Sequence, residues 1–280
     1  AGLYWISHAL LVYSDALWWL MPVAALGLPA LLAAYGGLAL VAAWHASSPL
    51  GRALGLALAW ALGDYLRGTL FTGFPWNLSG HAWMASDALT QTAAALGLYG
   101  MGLLALLSCC LPAVIPAYAW RRRLQILVAA LAIPLVAWGA GQKRLEMAPP
   151  LQAADQGEGP GLRMVQAGIP QREKWRRPFQ RRNFQLHMAL SLRDRPDWVK
   201  TLIWPETAAT FFVEETTAAR EAMAGAVPPG GLLITGAPRR DRQPLRLYNG
   251  MVVLDDSGTV VENYNKAHLV PFGEYLPIRP

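Results

Sequence analysis

Charged side chains are distributed very unevenly along the 280 residues, and this constrains the fold more than any other feature. Residues 1–120 contain only five of them: Asp15, Arg52, Asp64, Arg67 and Asp87. By contrast, 22 of the 24 Lys and Arg residues and 15 of the 18 Asp and Glu residues follow position 120. A charged side chain at the centre of a bilayer costs about 2.5–3.5 kcal/mol on insertion scales, whereas a water-facing surface needs charges. We therefore predict a membrane-embedded first half and a water-exposed second half.

Four apolar stretches in the first half are long enough to cross the hydrocarbon layer, which takes about 20 helical residues. They cover approximately residues 22–44, 50–66, 88–118 and 124–141. The second stretch is short and includes Asp64 near its end. Residues 1–21 are apolar but contain His8 and Asp15, so they fit either an interfacial segment or the end of another span. The prediction for residues 1–147 is a membrane α-helical bundle.

The arginines of the short loops predict the orientation of this bundle. Arg121, Arg122 and Arg123 form the densest cationic cluster, and Arg52 lies in the loop after the first predicted span. Both loops fall on one face if each stretch crosses once, and the positive-inside rule makes that face cytoplasmic. The region after Lys143 is then predicted to be extracytoplasmic. Because this signal and one basic segment account for the net charge of +6, no nucleic-acid partner is predicted.

The second half has the alternating pattern of an α/β domain. Residues 148–161 are rich in Pro, Gly and small residues and are interpreted as a linker, followed by a domain over 162–280. Strands are predicted at 162–168, 201–204 and 232–237, helices at 179–193 and 215–226, and a hairpin of strands 248–255 and 259–265 after a polar turn. This order predicts a largely buried mixed sheet.

Three titratable residues of this domain stand out by their positions. Glu206 follows an apolar run and Pro205, which cannot continue a strand, and Lys266 follows the second strand of the hairpin. Glu274 comes eight residues after Lys266 in an apolar setting. A strand-end position is expected to desolvate the Glu206 carboxylate partly, which suits a base. Taken singly, Glu206 also fits a solvent-facing carboxylate at a helix start, and Lys266 fits a surface lysine.

As a set, these residues resemble a known family. The runs IWPE (203–206) and YNKAHLVPFGEYLP (264–277) are similar to the carbon–nitrogen hydrolase (nitrilase) superfamily, and most closely to its membrane-bound apolipoprotein N-acyltransferases. MVQAGIPQREKW (164–175) resembles the opening strand and loop of that catalytic domain, and RGTLFTGFPW (67–76) resembles a loop between its membrane helices. The resemblance implies a membrane α-helical bundle plus an α/β nitrilase-like αββα sandwich domain, of which residues 162–280 form the N-terminal part.

The resemblance implies a Glu–Lys–Cys triad. Glu206 is expected to be the general base that deprotonates a cysteine thiol, and Lys266 to stabilise the oxyanion of the tetrahedral intermediate. Glu274 is expected to be an auxiliary carboxylate that positions the site. Trp175 matches a tryptophan of a mobile loop near the active-site entrance. Phe74 and Trp76, together with Trp83, are expected at the mouth of an apolar bay for an acyl chain, although an ordinary interfacial aromatic belt explains them equally well.

The reaction that the resemblance implies is a ping-pong acyl transfer without a cofactor. The cysteine takes an acyl chain from a glycerophospholipid as a thioester and passes it to the N-terminal amine of a diacylglyceryl-modified lipoprotein. Both substrates and the enzyme belong to the bacterial inner membrane, with the catalytic domain extracytoplasmic. The five histidines are scattered without the spacing of metal ligands, so no metal site is predicted.

The nucleophile departs from the family pattern. Cys109 and Cys110 are the only cysteines, and they fall within a predicted membrane span. We therefore expect the chain to be short at both ends, with the reactive cysteine beyond Pro280, and the 280 residues alone to be inactive. Two alternatives remain open at this point. One is a membrane-tethered nitrilase- or amidase-type hydrolase, and the other is a non-catalytic membrane scaffold with a degenerate nitrilase-like domain.

Overall fold

A computed structural model of the chain describes residues 3–8, 18–71, 73–148, 159, 161–270 and 274. The chain divides into two compact units, Ala1–Pro150 and Leu151–Pro280. The first unit is helical, and the second combines helices with a β-sheet. Most of the segment interpreted as a linker lies outside the described residues.

The first unit consists of helices joined by short turns. The α-helices are α1 (Met21–Trp44), α2 (Pro49–Thr69), α3 (Asp87–Thr90), α4 (Ala93–Cys110) and α5 (Trp120–Glu146). Segments of 3-10 helix cover Tyr4–His8, Trp18–Leu20, Ser79–Trp83 and Leu111–Ala117. The start of α2 has a clear local cause: the Gly51 N–H donates to the Ser48 hydroxyl at 3.0 Å, and Pro49 supplies a helical φ at the first position.

Three helical segments in the described part of the chain are long and apolar enough to cross a membrane: Trp18–Trp44, Ala93–Ala117 and Trp120–Glu146. They coincide with the first, third and fourth predicted spans. The second predicted span folds as α2 but does not belong to this group, because Arg52, Asp64 and Arg67 interrupt its apolar sequence. Length and composition thus support three of the four predicted spans, and a membrane crossing by α2 stays a prediction.

The third predicted span also differs in detail from the single run expected over residues 88–118. The chain leaves the helical conformation between α3 and α4, and Gly97 within α4 has a φ of 66°. The last part, Leu111–Ala117, is 3-10 helix. Pro112 and Pro116 lie in that part, and neither can donate the N–H that an α-helix needs. The span is thus interrupted between α3 and α4 and at Gly97, and it ends in 3-10 helix.

The second unit contains a five-stranded mixed sheet, as predicted. Its strands are β1 (Leu162–Met164), β2 (Thr201–Ile203), β3 (Leu232–Arg242), β4 (Leu245–Asp255) and β5 (Val260–Asn265), in the spatial order β1-β2-β3-β4-β5. The pairs β1–β2 and β2–β3 are parallel, and β3–β4 and β4–β5 are antiparallel. The helices are α6 (Gln171–Lys174), α7 (Arg177–Leu192) and α8 (Thr217–Ala224), with a 3-10 turn at Val213–Glu215.

The core of this unit lies on one face of the sheet. Leu202, Leu233 and Leu254 occupy paired positions on β2, β3 and β4 and are fully buried. Met223 of α8 is buried in the same cluster, and Phe184 of α7 packs against it. Burying such a side chain stabilises the fold by about 1.5–3 kcal/mol each. The core therefore fixes the three central strands, and Glu206 follows one of them, β2.

One strand is much longer than the sequence predicted. A polar turn was expected after Ala237, but β3 continues to Arg242 and pairs with β4 along its whole length. Ion pairs hold the polar part of β3 in place: Arg239 Nε lies 2.9 Å from Glu214 Oε2, and Arg240 Nη2 lies 2.5 Å from Glu215 Oε2. Through the bonds from Arg240, the pKa of Glu215 falls to about 2.

Candidate active site

The three titratable residues singled out in the sequence lie together at one end of the sheet. Lys266 Nζ is 2.9 Å from Glu274 Oε1 and 3.4 Å from Glu206 Oε1. Glu206 follows β2, Lys266 follows β5, and Glu274 is held by the Val270 N–H, which donates to its Oε2 at 2.8 Å. A lysine ammonium between two carboxylates, reached from separate segments of the chain, is a cluster suited to proton transfer and charge stabilisation.

Asn249 of β4 completes this cluster and was missed in the sequence. Its Nδ2 donates to Glu206 Oε1 and to Glu274 Oε1, each at 2.5 Å, and its main-chain carbonyl accepts from the Lys266 N–H at 2.9 Å. One side chain therefore sets the spacing of both carboxylates. One sequence feature could have indicated Asn249. It lies in a strand of the predicted hairpin, one residue before Gly250, and Gly250 pairs with Asn265, the residue before Lys266.

Contacts within the cluster shift the pKa values of Lys266 and Glu274 toward their charged forms. The hydrogen bond to Glu274 is the main cause that raises the pKa of Lys266, with the charge of Glu206 adding to it. Burial alone raises the pKa of Glu274, but the Val270 N–H, the Asn249 amide and Lys266 outweigh that effect and lower it. At neutral pH, Lys266 is therefore a fixed cation and Glu274 a fixed anion.

A close backbone approach positions Glu206. A Cβ on Gly236 of β3 would lie 2.6 Å from the Glu206 Cα and closer still to the Thr207 nitrogen, so only glycine fits there. Thr207 itself has a φ of 51°, an uncommon conformation for a β-branched residue. The main chain turns sharply here and carries the Glu206 side chain out of the sheet. That side chain is 64% exposed, so the partial desolvation expected from its strand-end position is not present.

A polar cavity adjoins the Glu206 main chain. It has a volume of about 220 Å³, and its lining includes Gln166, Lys174, Asn183 and His187. Lys174 Nζ donates to the Glu206 carbonyl oxygen at 2.8 Å, and burial lowers the pKa of this lysine. The amide nitrogen of Asn183 is buried and has no hydrogen-bond partner within the described residues. Burial also lowers the pKa of His187.

Trp175 directly follows Lys174, whose side chain donates to the Glu206 carbonyl oxygen. It ends α6, directly after Lys174, and its side chain is half exposed. The hydrogen bond from Lys174 thus connects the loop that carries Trp175 to the residue expected to be the general base. The structure describes Trp175 as a surface residue of the second unit, and its predicted contact with substrate remains a prediction.

Phe74 and Trp76 belong to a loop of the first unit. Their ring centroids are 6.1 Å apart, and Trp76 is half exposed. Arg67 holds this loop: its Nη1 donates to the Trp76 carbonyl at 2.6 Å, and its Nη2 donates to Asp64 Oδ1 at 2.8 Å. Trp83 was expected beside them, but it is buried against Met101. Its ring packs in the helical core and is 8% exposed, and its place at the mouth of a bay stays a prediction.

Cys109 and Cys110 are the last residues of α4 in the first unit. The second unit, which holds the Glu–Lys–Glu cluster, has no cysteine in its sequence. Among the residues that the structure describes, no group of three or more His, Cys, Asp and Glu side chains is arranged to hold a metal ion.

Comparison with known families matches both halves of the chain. Residues 1–111 match the family described as apolipoprotein N-acyltransferase N-terminal domain, and residues 162–280 match the family described as carbon-nitrogen hydrolase. A solved structure of an N-terminal amidase with an Asn-Glu-Ala peptide is also similar. The match covers 39% of this chain and 28% of the amidase chain, with 16% identity and a TM-score of 0.30. That likeness is too weak to support a structural conclusion.

Curated relatives are similar along nearly the whole chain. The apolipoprotein N-acyltransferase of Brucella suis biovar 1 (strain 1330) is 39% identical over 289 residues, covering 99% of this chain and 53% of the relative. That of Rhodopseudomonas palustris (strain ATCC BAA-98 / CGA009) is 35% identical over 294 residues, with the same two coverages. The chain spans about half the length of the curated relatives it matches. The two halves of the chain thus match, in the same order, the N-terminal domain of the apolipoprotein N-acyltransferases and the carbon–nitrogen hydrolase family.

Proposed function

We propose that the protein to which this chain belongs transfers an acyl chain from a glycerophospholipid to the N-terminal amine of a diacylglyceryl-modified lipoprotein. The observation that carries the proposal is the Lys266 ammonium held between Glu206 and Glu274 at 3.4 and 2.9 Å, with Asn249 bonded to both carboxylates. The family match and the membrane-capable helices favour lipid substrates over soluble ones.

In the first half-reaction, Glu206 takes the proton from a cysteine thiol. The thiolate attacks the acyl carbonyl of the phospholipid, and Lys266 stabilises the negative charge that develops on the carbonyl oxygen. The ester bond then breaks, and the lysophospholipid alkoxide leaves with the proton returned by Glu206. Residues 151–280 contain no cysteine, so the scheme requires a thiol from outside this unit.

In the second half-reaction, the lipoprotein amine attacks the thioester. Glu206 accepts a proton from the amine, Lys266 again stabilises the oxyanion, and the amide forms as the thiolate leaves. Glu274 takes no proton in this scheme. Its lowered pKa keeps it ionised, so it holds the Lys266 ammonium in position through the whole cycle.

The proposal also assigns the site to one side of the membrane. The arginines at positions 121–123 lie in the first turn of α5 and mark the cytoplasmic face of the bacterial inner membrane. The hydrolase unit is then extracytoplasmic, where the diacylglyceryl lipoprotein and the outer-leaflet phospholipid are available. Phe74, Trp76 and Trp175 are proposed to contact the lipid portions of these substrates.

The test measures both half-reactions with the full-length protein in detergent–lipid micelles. A phospholipid with a fluorescent acyl chain serves as donor, and a synthetic diacylglyceryl lipopeptide serves as acceptor. We expect Glu206→Gln to lower the rate of lipopeptide acylation about 10²- to 10⁴-fold, because it removes the base. Lys266→Met should lower it about 10²- to 10³-fold, because it removes the oxyanion partner.

Matched controls separate these effects from general damage. Glu262→Gln and Lys200→Met change exposed residues of the same unit and should leave the rate within about twofold of wild type. The wild-type protein should carry fluorescent label that hydroxylamine removes, as a thioester does. Release of free fatty acid without acylation of the lipopeptide would contradict transfer and favour a hydrolase. Full activity of both Glu206→Gln and Lys266→Met would refute the assigned roles.

A further inference from the structure

An apolar groove runs between two of the membrane-capable helices of the first unit. It lies between α4 and α5 and has a volume of about 640 Å³. Its walls include Ala95 and Leu104 of α4 and Ile133, Val136, Ala137 and Ala140 of α5. Three of these six side chains are alanines, so little fills the space between the two helices. A groove of this kind accepts a narrow apolar chain.

The groove faces the surface that the membrane would cover. Both helices belong to segments long and apolar enough to span a bilayer, Ala93–Ala117 and Trp120–Glu146. Val136 is 70% exposed and Leu96, also in the lining, is 53% exposed. From Ala132 to Arg144, α5 rises about 18 Å at about 1.5 Å per residue, more than half of a hydrocarbon layer about 30 Å thick. The groove is thus long enough for a large part of an acyl chain.

Polar groups line only one end of the groove. Gln91, Thr92 and Arg144 lie there, and Arg144 Nε donates to Gln91 Oε1 at 3.2 Å. This bond orients the guanidinium and leaves its two terminal nitrogens available. Within the described residues, Arg144 forms no ion pair with a carboxylate. A guanidinium with free terminal N–H groups matches the geometry of a phosphate, which it binds with two parallel hydrogen bonds.

We propose that this groove binds a glycerophospholipid, with one acyl chain between α4 and α5 and the phosphate at Arg144. The charge complementarity between the arginine and a phosphate, at the polar end of an otherwise apolar groove, selects this occupant over a second protein helix. Basic pockets between membrane helices bind lipid headgroups in the same manner. The site is built from the first unit alone and does not depend on the acyl-transfer chemistry proposed above.

The test uses the 280-residue chain in detergent micelles and native mass spectrometry. The probe is dioleoyl phosphatidylglycerol, titrated against wild type and two charge variants. We expect Arg144→Gln to weaken binding about fivefold, since one basic residue at the headgroup contributes about that factor. Lys143→Gln is the matched control, because it removes the same charge from the adjacent position outside the groove lining. It should change the affinity by less than about twofold.

Two further measurements test the shape and the chemistry of the site. Ala137→Trp, which fills the groove, should abolish the bound lipid, whereas Val128→Trp, at an exposed position of α5 outside the lining, should not. Dioleoylglycerol, which lacks the phosphate, should bind at least about fivefold more weakly than phosphatidylglycerol. Equal losses for Arg144→Gln and Lys143→Gln, equal binding of both lipids, or a protein dimer that excludes lipid would each overturn the proposal.

Discussion

Asn249 shows how one neutral side chain can organise a cluster of charges. Two carboxylates that face each other repel, yet the Asn249 amide donates to an oxygen of Glu206 and an oxygen of Glu274, each at 2.5 Å. Lys266 supplies the positive charge, and Asn249 supplies the spacing. A carboxylate in place of this amide would add a third negative charge instead of a donor.

Replacing Asn249 should therefore impair the site without changing its charge. We expect Asn249→Leu, which keeps the approximate volume and loses the donor, to lower the rate of acyl transfer about 10- to 100-fold in the full-length protein. The measurement is the initial rate of lipopeptide acylation. Asn263→Leu is the control, because Asn263 is an exposed amide on the adjacent strand. Equal rates for Asn249→Leu and the control would show that the amide has no positioning role.

At the scale of elements, the contact between β3 and the turn after β2 determines where Glu206 lies. Gly236 sits in the middle of β3, and its missing side chain allows the Glu206–Thr207 backbone to approach. The Trp204 N–H donates to the Ile234 carbonyl, and the Ala209 N–H donates to the Gly236 carbonyl at 3.1 Å. The turn is thus fastened to β3 on both sides of the Glu206 position.

A single methyl group at this contact should displace the proposed base. We expect Gly236→Ala to lower the acylation rate about 10²-fold, because a misplacement of about 1 Å at a reacting group has an effect of that size. Gly225→Ala is the control, since Gly225 has an ordinary helical φ and its closest contact would be 3.3 Å. The thermal unfolding temperature of both variants should be recorded. An unchanged rate for Gly236→Ala would contradict the close approach.

The sequence predicted the elements better than their lengths. The apolar runs around Leu202, Leu233 and Val252 indicated strands because their side chains face a core. The extension of β3 to Arg242 was not predictable in this way, since its polar residues are held by ion pairs with Glu214 and Glu215 that lie far away in the sequence. For the same reason, local sequence did not reveal that Asn249 would meet two carboxylates from other segments.

At the scale of the whole molecule, the uneven charge distribution predicted a helical membrane unit followed by an α/β unit, and this arrangement is confirmed. Hydropathy reports the average of many residues, so it is insensitive to single contacts. It did not indicate that Trp83 packs against Met101 in the helical core. That outcome depends on particular neighbours, which an average over a window does not include.

The proposed orientation has a direct test in spheroplasts. In a full-length protein with Cys109 and Cys110 replaced by alanine and no other reactive cysteine, single cysteines are introduced at Glu262 and at Ala119, both exposed positions. We expect a membrane-impermeant maleimide to label Glu262→Cys in spheroplasts, because the hydrolase unit is proposed to be extracytoplasmic. Ala119→Cys, beside the arginine cluster, should be labelled only after permeabilisation. The reverse pattern would contradict the orientation.

The spacing of the cluster along the chain has a consequence for biosynthesis. Glu206, Asn249, Lys266 and Glu274 come from separate segments, and Asn249 bridges the earliest and the latest of them. Glu206 is therefore translated well before its partners, and the cluster cannot assemble until residue 274 has been translated. The membrane-capable helices come earlier in the sequence and are translated first. The cluster of Glu206, Asn249, Lys266 and Glu274 can therefore form only after the whole of the first unit has been synthesised.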